Sequence, residues 1–258
     1  MYLIDTHSHI YQPAFDEDRA AMVQRALDAG VQKILLPNID LESIPRMDAL
    51  VQAFPEVCYP MMGLHPCDVK EDFEHVLSIM SGHLAQGAYV AIGETGIDLY
   101  WDKSTYDLQC RAFEIQVEWA KQYGLPIVIH ARESIDELIA ILDRLNDDRL
   151  TGVFHCFTGT LPQGQHILSY GGFYLGIGGV LTYPKSGLAQ VVAELPMAAL
   201  ILETDSPYLP PVPYRGKRNE SAYVRIVAEH LAKVKNVTFE EVVQTTTENS
   251  LRLFSTLT

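Results

Sequence analysis

No apolar run in this chain approaches the twenty or so residues needed to cross a bilayer, which argues against a helical membrane protein. Cysteine is also scarce. Cys58, Cys67, Cys110 and Cys156 are scattered, with no Cys-x-x-Cys pair and no spacing that would staple a small secreted domain, so they read as reduced thiols. At the N-terminus three apolar residues lead directly into Asp5 and two histidines, which is neither the basic nor the apolar region of a secretion signal. A cytoplasmic location is expected. Cations are few: 19 Lys and Arg face 33 Asp and Glu, for a formal charge of -14. Such a balance excludes a protein whose whole surface coats nucleic acid. It leaves room for an enzyme that takes one strand end into a pocket, because bound cations invert a local field.

What is present is ample core, with 258 residues of which 48% are hydrophobic. Short apolar or β-branched runs bounded by turns fall at residues 2–5, 33–36, 57–62, 89–93, 126–130, 152–155, 172–176 and 199–203. Helical spacing lies between them. Met22, Val23, Ala26 and Leu27 share one face, Leu108, Ala112, Ile115 and Trp119 another, and Ile135, Leu138, Ile139 and Leu142 a third. Gly30 and Gly124 stand where helix C-caps are expected. Eight such units in about 250 residues predict a TIM-type (β/α)8 barrel. A doubly wound sheet would show a Gly-rich phosphate fingerprint after its first strand, where this chain has histidines. Further helices are expected near 222–235 and 239–254, the second opened by a Thr238/Glu241 capping box. No linker or repeat divides the chain, so residues 1–258 read as a single domain.

In a barrel of this kind the chemistry sits at the C-terminal ends of the strands. There stand His7 and His9 after strand one, His65 after strand three, Glu94 after strand four, His130 ending strand five, His155 ending strand six and Asp205 after strand eight. All are residue types that bind divalent metals. His7 and His9 alternate with Ser8, so in an extended chain both point to one side. An isolated His-x-His is a weak signal, whereas His75, His83, His166 and His230 fall in helical stretches as ordinary surface residues. A carboxylate can bridge two ions, which makes Glu94 the candidate bridge, with His7, His9 and Asp205 completing one site and His130 and His155 the other. Two ions roughly 3.5–4 Å apart clamp the attacking and leaving oxygens of a phosphodiester. Asp205 and Glu94 are then the candidate catalytic carboxylates, Asp205 orienting the activated water or taking its proton. The plainer alternatives are an N-cap or ion-pair role for Glu94 and a turn role for Asp205. Barrel hydrolases that bridge their metals with a carbamylated lysine are disfavoured, since Lys33 opens strand two at the wrong end.

Six blocks together resemble the TatD family of metal-dependent deoxyribonucleases, in the amidohydrolase superfamily: Asp5-Thr6-His7-Ser8-His9, Gly63-Leu64-His65-Pro66, Gly93-Glu94-Thr95-Gly96-Ile97-Asp98, His130-Ala131-Arg132-Glu133, His155-Cys156-Phe157-Thr158-Gly159 and Glu203-Thr204-Asp205-Ser206-Pro207-Tyr208-Leu209. They run in the family's order along essentially the full chain. The resemblance implies two divalent ions held by His7, His9, Glu94, His130, His155 and Asp205, with His65 meeting the substrate phosphate. It also implies hydrolysis of DNA, often from a 3′ end. The donor types suit zinc, manganese or, less well, magnesium.

Arg215-Gly216-Lys217-Arg218-Asn219-Glu220 resembles the family's basic loop, with Ser221 where the family usually has proline. Arg215 and Arg218 are candidates to hold phosphates while Tyr208 or Tyr214 stacks on a base; a solvated charge run is the plainer reading. Arg132 either reaches a phosphate or pairs with Glu133 or Asp136, and Tyr100 and Trp101 offer a stacking wall. The expected partner is single-stranded DNA or a frayed 3′ end, because a barrel mouth does not admit a duplex easily. No membrane and no obligate protein partner are expected. Hydrolysis of a small-molecule C–N or ester bond by the same ions is the alternative chemistry, and a metal-dependent binding protein the non-enzymatic one.

Overall fold

A computed structural model describes residues 1–257. Strand and helix alternate: β1 (Leu3–Asp5), α1 (Arg19–Asp28), β2 (Val31–Leu36), α2 (Ile44–Ala53), β3 (Cys58–Pro60), α3 (Phe73–Leu84), β4 (Ile92–Asp98), α4 (Tyr106–Tyr123), β5 (Ile127–Arg132), α5 (Ile135–Leu145), β6 (Gly152–Phe154), α6 (Leu161–Ser169), β7 (Phe173–Ile177), α7 (Leu188–Glu194), β8 (Leu200–Leu202), α8 (Val224–Lys235) and α9 (Phe239–Leu253). Strands β1 to β3 pair in parallel, as do β4 to β8. Two parallel bridges join these sheets, Met62 to Ile92 and Ser8 to Ser206, and the Thr6 N–H donates to Leu202 O at 3.1 Å. The eight strands thus form the expected TIM-type ring. Among the described residues no helix is long and apolar enough to cross a membrane.

Period-two alternation sorts the strand residues. Ile4, Leu35, Val128, Val153, Tyr174 and Ile201 form the inner cluster, closed below by Leu253, Phe254 and Leu257. Their neighbours Leu3, Ile34, Leu36, Ile127, Ile129, Phe154 and Leu202 join the outer cluster against the helices. Two residues further along β5 and β6 come His130 and His155, and two beyond Tyr174 and Ile201 come Gly176 and Glu203. An apolar floor therefore gives way, one layer up, to the polar groups of the mouth.

Sequence signals for helix ends hold where a local bond carries them. Gly124 closes α4 in the left-handed region at φ 62, its N–H on Ala120 O. Thr238 Oγ1 accepts the Glu241 N–H while Glu241 accepts the Thr238 N–H, as the capping box requires. The fourth strand departs from expectation. It was expected at 89–93 and runs over Ile92–Asp98, so Glu94 lies inside a strand and not after one. Gly93 and Gly96 adopt φ of 158 and 147 within β4. A Cβ on Gly93 would meet Val128, and one on Gly96 the His130 carbonyl, so glycine here lets β4 and β5 approach closely.

Candidate metal centre

Glu94 is buried at 2% exposure, with its two oxygens turned to different histidines. Oε2 lies 3.1 Å from His7 Nε2 and 3.3 Å from His9 Nε2. Oε1 lies 2.8 Å from both His130 Nδ1 and His155 Nε2, and 3.5 Å from His65 Nε2. Asp205 Oδ1 joins the first group, 3.5 Å from His9 Nε2 and 3.8 Å from His7 Nε2. The strand ends therefore bring together all six residues expected to ligate metal, and His65 with them. Asp205 holds a left-handed φ of 57, its N–H on the His7 carbonyl at 2.9 Å. Below it the Thr204 N–H and hydroxyl donate to Asp5, at 2.8 and 2.7 Å, locking β8 to β1.

Electrostatics follow from that crowding. Burial alone would raise the Glu94 carboxyl, but attraction to His155, His7 and His65 and the contact with His130 hold it well below the usual carboxylate range. Burial opposes charge on His155 too, and Glu94 and Glu203 outweigh it, holding that imidazole well above its ordinary value. His9 is likewise raised to about 10, against burial, by Asp205 and Glu94. His7 goes the other way, lowered by burial and by His155. Five imidazoles sharing the buried Glu94 and the partly buried Asp205 form a donor set that divalent ions fit, because an ion replaces the protons that otherwise hold such groups together. Three ligand groups lie with their atoms within 4.8 Å of one another: His7, His9 and Glu94; His65, Glu94 and His130; and His7, His155 and Glu203.

Sequence reasoning passed over three residues beneath these imidazoles, of which Asp98 and Tyr11 orient a ring by a hydrogen bond. Asp98 Oδ2 sits 2.9 Å from His130 Nε2, which places the ring proton there and leaves Nδ1 free to ligate. Although burial raises the Asp98 carboxyl, the contact with His130 and the Trp101 and Tyr100 N–H groups bring it down to about 2. Tyr11 donates its only proton to Pro37 O at 2.6 Å, so its oxygen accepts from His9 Nδ1 at 3.0 Å, and His9 Nε2 turns its lone pair to the carboxylates. Glu203 lies beneath His155, with His155 Nδ1 3.6 Å from its Oε1. Their positions offered a signal: Asp98 ends a quoted motif, Tyr11 is two residues past His9, and Glu203 two before Asp205.

A cavity of about 500 Å³ opens over this cluster, lined among others by Gln12, His65, Trp101, Arg132 and Tyr208. His65 Nδ1 accepts the Cys67 N–H at 3.1 Å, so the neutral ring carries its proton on Nε2 and faces the site as a donor. Arg132 pairs with neither Glu133 nor Asp136. Its guanidinium lies 4.0 Å from the Tyr100 ring centre and 5.7 Å from that of Trp101. Expectations for the basic loop need correction. Arg218 is held by Asp18 through two bonds, 2.7 and 2.8 Å, and by Ala14 O, so its fork is already filled. Arg215 stacks on Tyr183 at 4.3 Å and Tyr214 on Tyr223 at 4.3 Å; neither lines the cavity.

The comparisons with known proteins agree with this geometry. The family model described as TatD related DNase matches residues 4–255. An uncharacterized metal-dependent hydrolase, YabD of Bacillus subtilis, is 38% identical over 253 residues, covering 98% of each chain. YjjV of Escherichia coli, of the same description, is 34% identical over 98% of this chain and 97% of its own. The crystal structure of that TatD homolog superposes with a TM-score of 0.92, over 98% of both chains. A TatD family hydrolase from Entamoeba histolytica, at 21% identity, shares the fold with a TM-score of 0.84 over 98% of each chain. With the family model and these relatives spanning nearly its whole length, the chain belongs to the TatD family of metal-dependent hydrolases.

Proposed function

We propose that this hydrolase cleaves DNA phosphodiester bonds, working from single-stranded or frayed 3′ ends, with two divalent ions held on either side of Glu94. The observation that carries the reading is the division of the Glu94 carboxylate. One oxygen faces His7 and His9 beside Asp205, and the other faces His130 and His155. A pair of ions so placed supplies an activated water and neutralises charge developing on a phosphoryl group. Zinc and manganese suit the imidazole-rich donors better than magnesium.

The chain's own residues do the rest. Asp205, on the first side of Glu94, orients the water or takes its proton. His65 donates from Nε2 to a phosphate oxygen. Arg132, free of carboxylates and carried on Tyr100 and Trp101, receives a neighbouring phosphate bidentately. Trp101 and Tyr208, 70% and 49% exposed, offer faces to unstacked bases. A cavity of about 500 Å³ suits a nucleotide or two and not a duplex.

One observation favours a second reading. With Arg218 spent on Asp18, anion recognition at the mouth falls mainly on His65 and Arg132, a sparse set that also suits a small anionic ester or amide. Digestion of 5′-labelled single-stranded DNA with magnesium, manganese or zinc, beside chelator, separates the two. A metal-dependent ladder shortening from the 3′ end is expected; DNA left intact under every metal moves the reading to the small-molecule hydrolase.

A further inference from the structure

We propose that Glu203 is a positioning residue shared by both metal sites, its carboxylate standing as the acceptor for the Nδ1–H groups of His7 and His155. The inference rests on the two-ion reading above. His7 and His155 stack with ring centres 3.9 Å apart and planes within 5°, and both turn Nε2 toward Glu94. Their Nδ1 atoms consequently face the same side, away from the ions. A neutral imidazole that ligates through Nε2 carries its hydrogen on Nδ1, so two donors point into the protein interior. Both Nδ1 atoms are buried without a hydrogen-bond partner, and so is Glu203 Oε2.

The three residues are neighbours. His7, His155 and Glu203 have ligand atoms within 4.8 Å of one another, and His155 Nδ1 stands 3.6 Å from Glu203 Oε1. That separation is just beyond a direct hydrogen bond and too short to seat a water between the two atoms, so a shift of a few tenths of an ångström brings the ring N–H onto the carboxylate. The fold builds a place for the carboxylate. Glu203 is fully buried, its Oε1 pinned by the Cys156 N–H at 2.7 Å. Gly176 on β7 leaves the space: a Cβ there would collide with Glu203 Oε2 and come within 3.0 Å of His155 Cα. A third cation is the competing occupant, but it needs Nδ1 lone pairs that two neutral, Nε2-ligating rings do not have.

Because His7 serves one ion and His155 the other, the two sites should respond together. Glu203→Gln is the discriminating variant. The amide carries no charge and replaces one of the two acceptor oxygens by an NH2 donor, so its hold on the two Nδ1–H groups is weaker. Calorimetric titration of chelator-stripped protein with zinc should show two ions bound by wild type and both weakened about 10–100-fold in E203Q. Circular dichroism of the ion-free variant should show it folded, so that the loss is one of ion affinity. In the zinc-loaded wild type, proton NMR should show protected imidazole Nδ1–H resonances from His7, His9 and His155; E203Q should displace or lose those of His7 and His155 and leave that of His9, bonded to Tyr11, in place. Glu203→Asp keeps an acceptor one methylene further back and is expected to weaken both sites by less; it carries the test if E203Q does not fold. Wild-type affinity at either site in the variants, or a third zinc equivalent that E203Q loses, overturns the proposal. Failure of wild type to bind zinc tightly would instead overturn the two-ion reading itself.

Discussion

The Glu94 cluster and the loop carrying Arg215, Lys217 and Arg218 both concentrate nitrogen-bearing side chains at the barrel mouth, yet they differ in what those side chains have left to offer. Around Glu94 imidazoles outnumber carboxylates, burial excludes water, and each ring has a nitrogen aimed at a shared centre. On the loop Arg218 is matched by Asp18, Arg215 lies on Tyr183, and Lys217 sits 5.8 Å from the Tyr214 ring centre. Density of charge along a sequence therefore says little about free charge in space. Arg132 makes the contrast sharper. Arg111, Arg144, Arg149 and Arg225 each sit beside a carboxylate, while Arg132 has only aromatic faces beneath it.

The comparison breaks most easily at Glu94. Glu94→Gln keeps the shape but removes the negative charge that two ions would share, and metal-dependent hydrolysis should fall by more than about 10³-fold, beyond the roughly 10–100-fold typical of an outer partner. Retention of most turnover in E94Q at saturating metal would place the bridge elsewhere. Arg132→Ala should act on binding: a charged hydrogen bond is worth about 1.5–3 kcal/mol, so KM for an oligonucleotide should rise roughly tenfold or more while kcat changes little. An unaltered KM would return Arg132 to a packing role on Tyr100. Arg218→Ala should do least, leaving KM nearly untouched and costing about 1 kcal/mol or less of stability, as partly exposed ion pairs do.

That small loss has a defined pH window. Arg218, ahead of Arg25, holds the Asp18 carboxyl well below the usual range. A depressed carboxylate contributes stability above its unfolded value of about 3.9 and loses it as pH falls through the folded value. The melting temperatures of wild type and R218A should therefore differ by at most about 2–4 °C above pH 5 and converge in stronger acid. A difference that persists at the lowest pH would mean that packing on Phe15, 4.4 Å from the guanidinium, matters more than charge.

Much of the mouth was legible because strand ends have a fixed geometry. Apolar runs located the strands, and the residue closing each run, His130 or His155, follows from two-residue alternation above Val128 and Val153. The extent of β4 misled, since the apolar run ends at Gly93 while the strand continues through Gly96, whose lack of a Cβ lets two backbones meet. Arg218 misled for a different reason. Its partner Asp18 lies two hundred positions away, and no local pattern connects them. Asp98, Tyr11 and Glu203 stood close to named ligands in the sequence, but which ring nitrogen a neighbour meets is a fact of three-dimensional direction that spacing alone does not give.

The latch between Asp5 and Thr204 has a consequence for when the enzyme comes into being. Its partners are 199 residues apart, and His7 and Asp205 are drawn together by the same closure. On a ribosome adding about 5–20 residues per second, the first strand waits on the order of 10–40 s for the last. A nascent chain that has delivered His7, His9, Glu94, His130 and His155 still lacks Asp205 and the strand that closes the ring. Closure of the mouth is thus tied to completion of the eighth strand, since a chain that stops short of it has neither the latch nor Asp205.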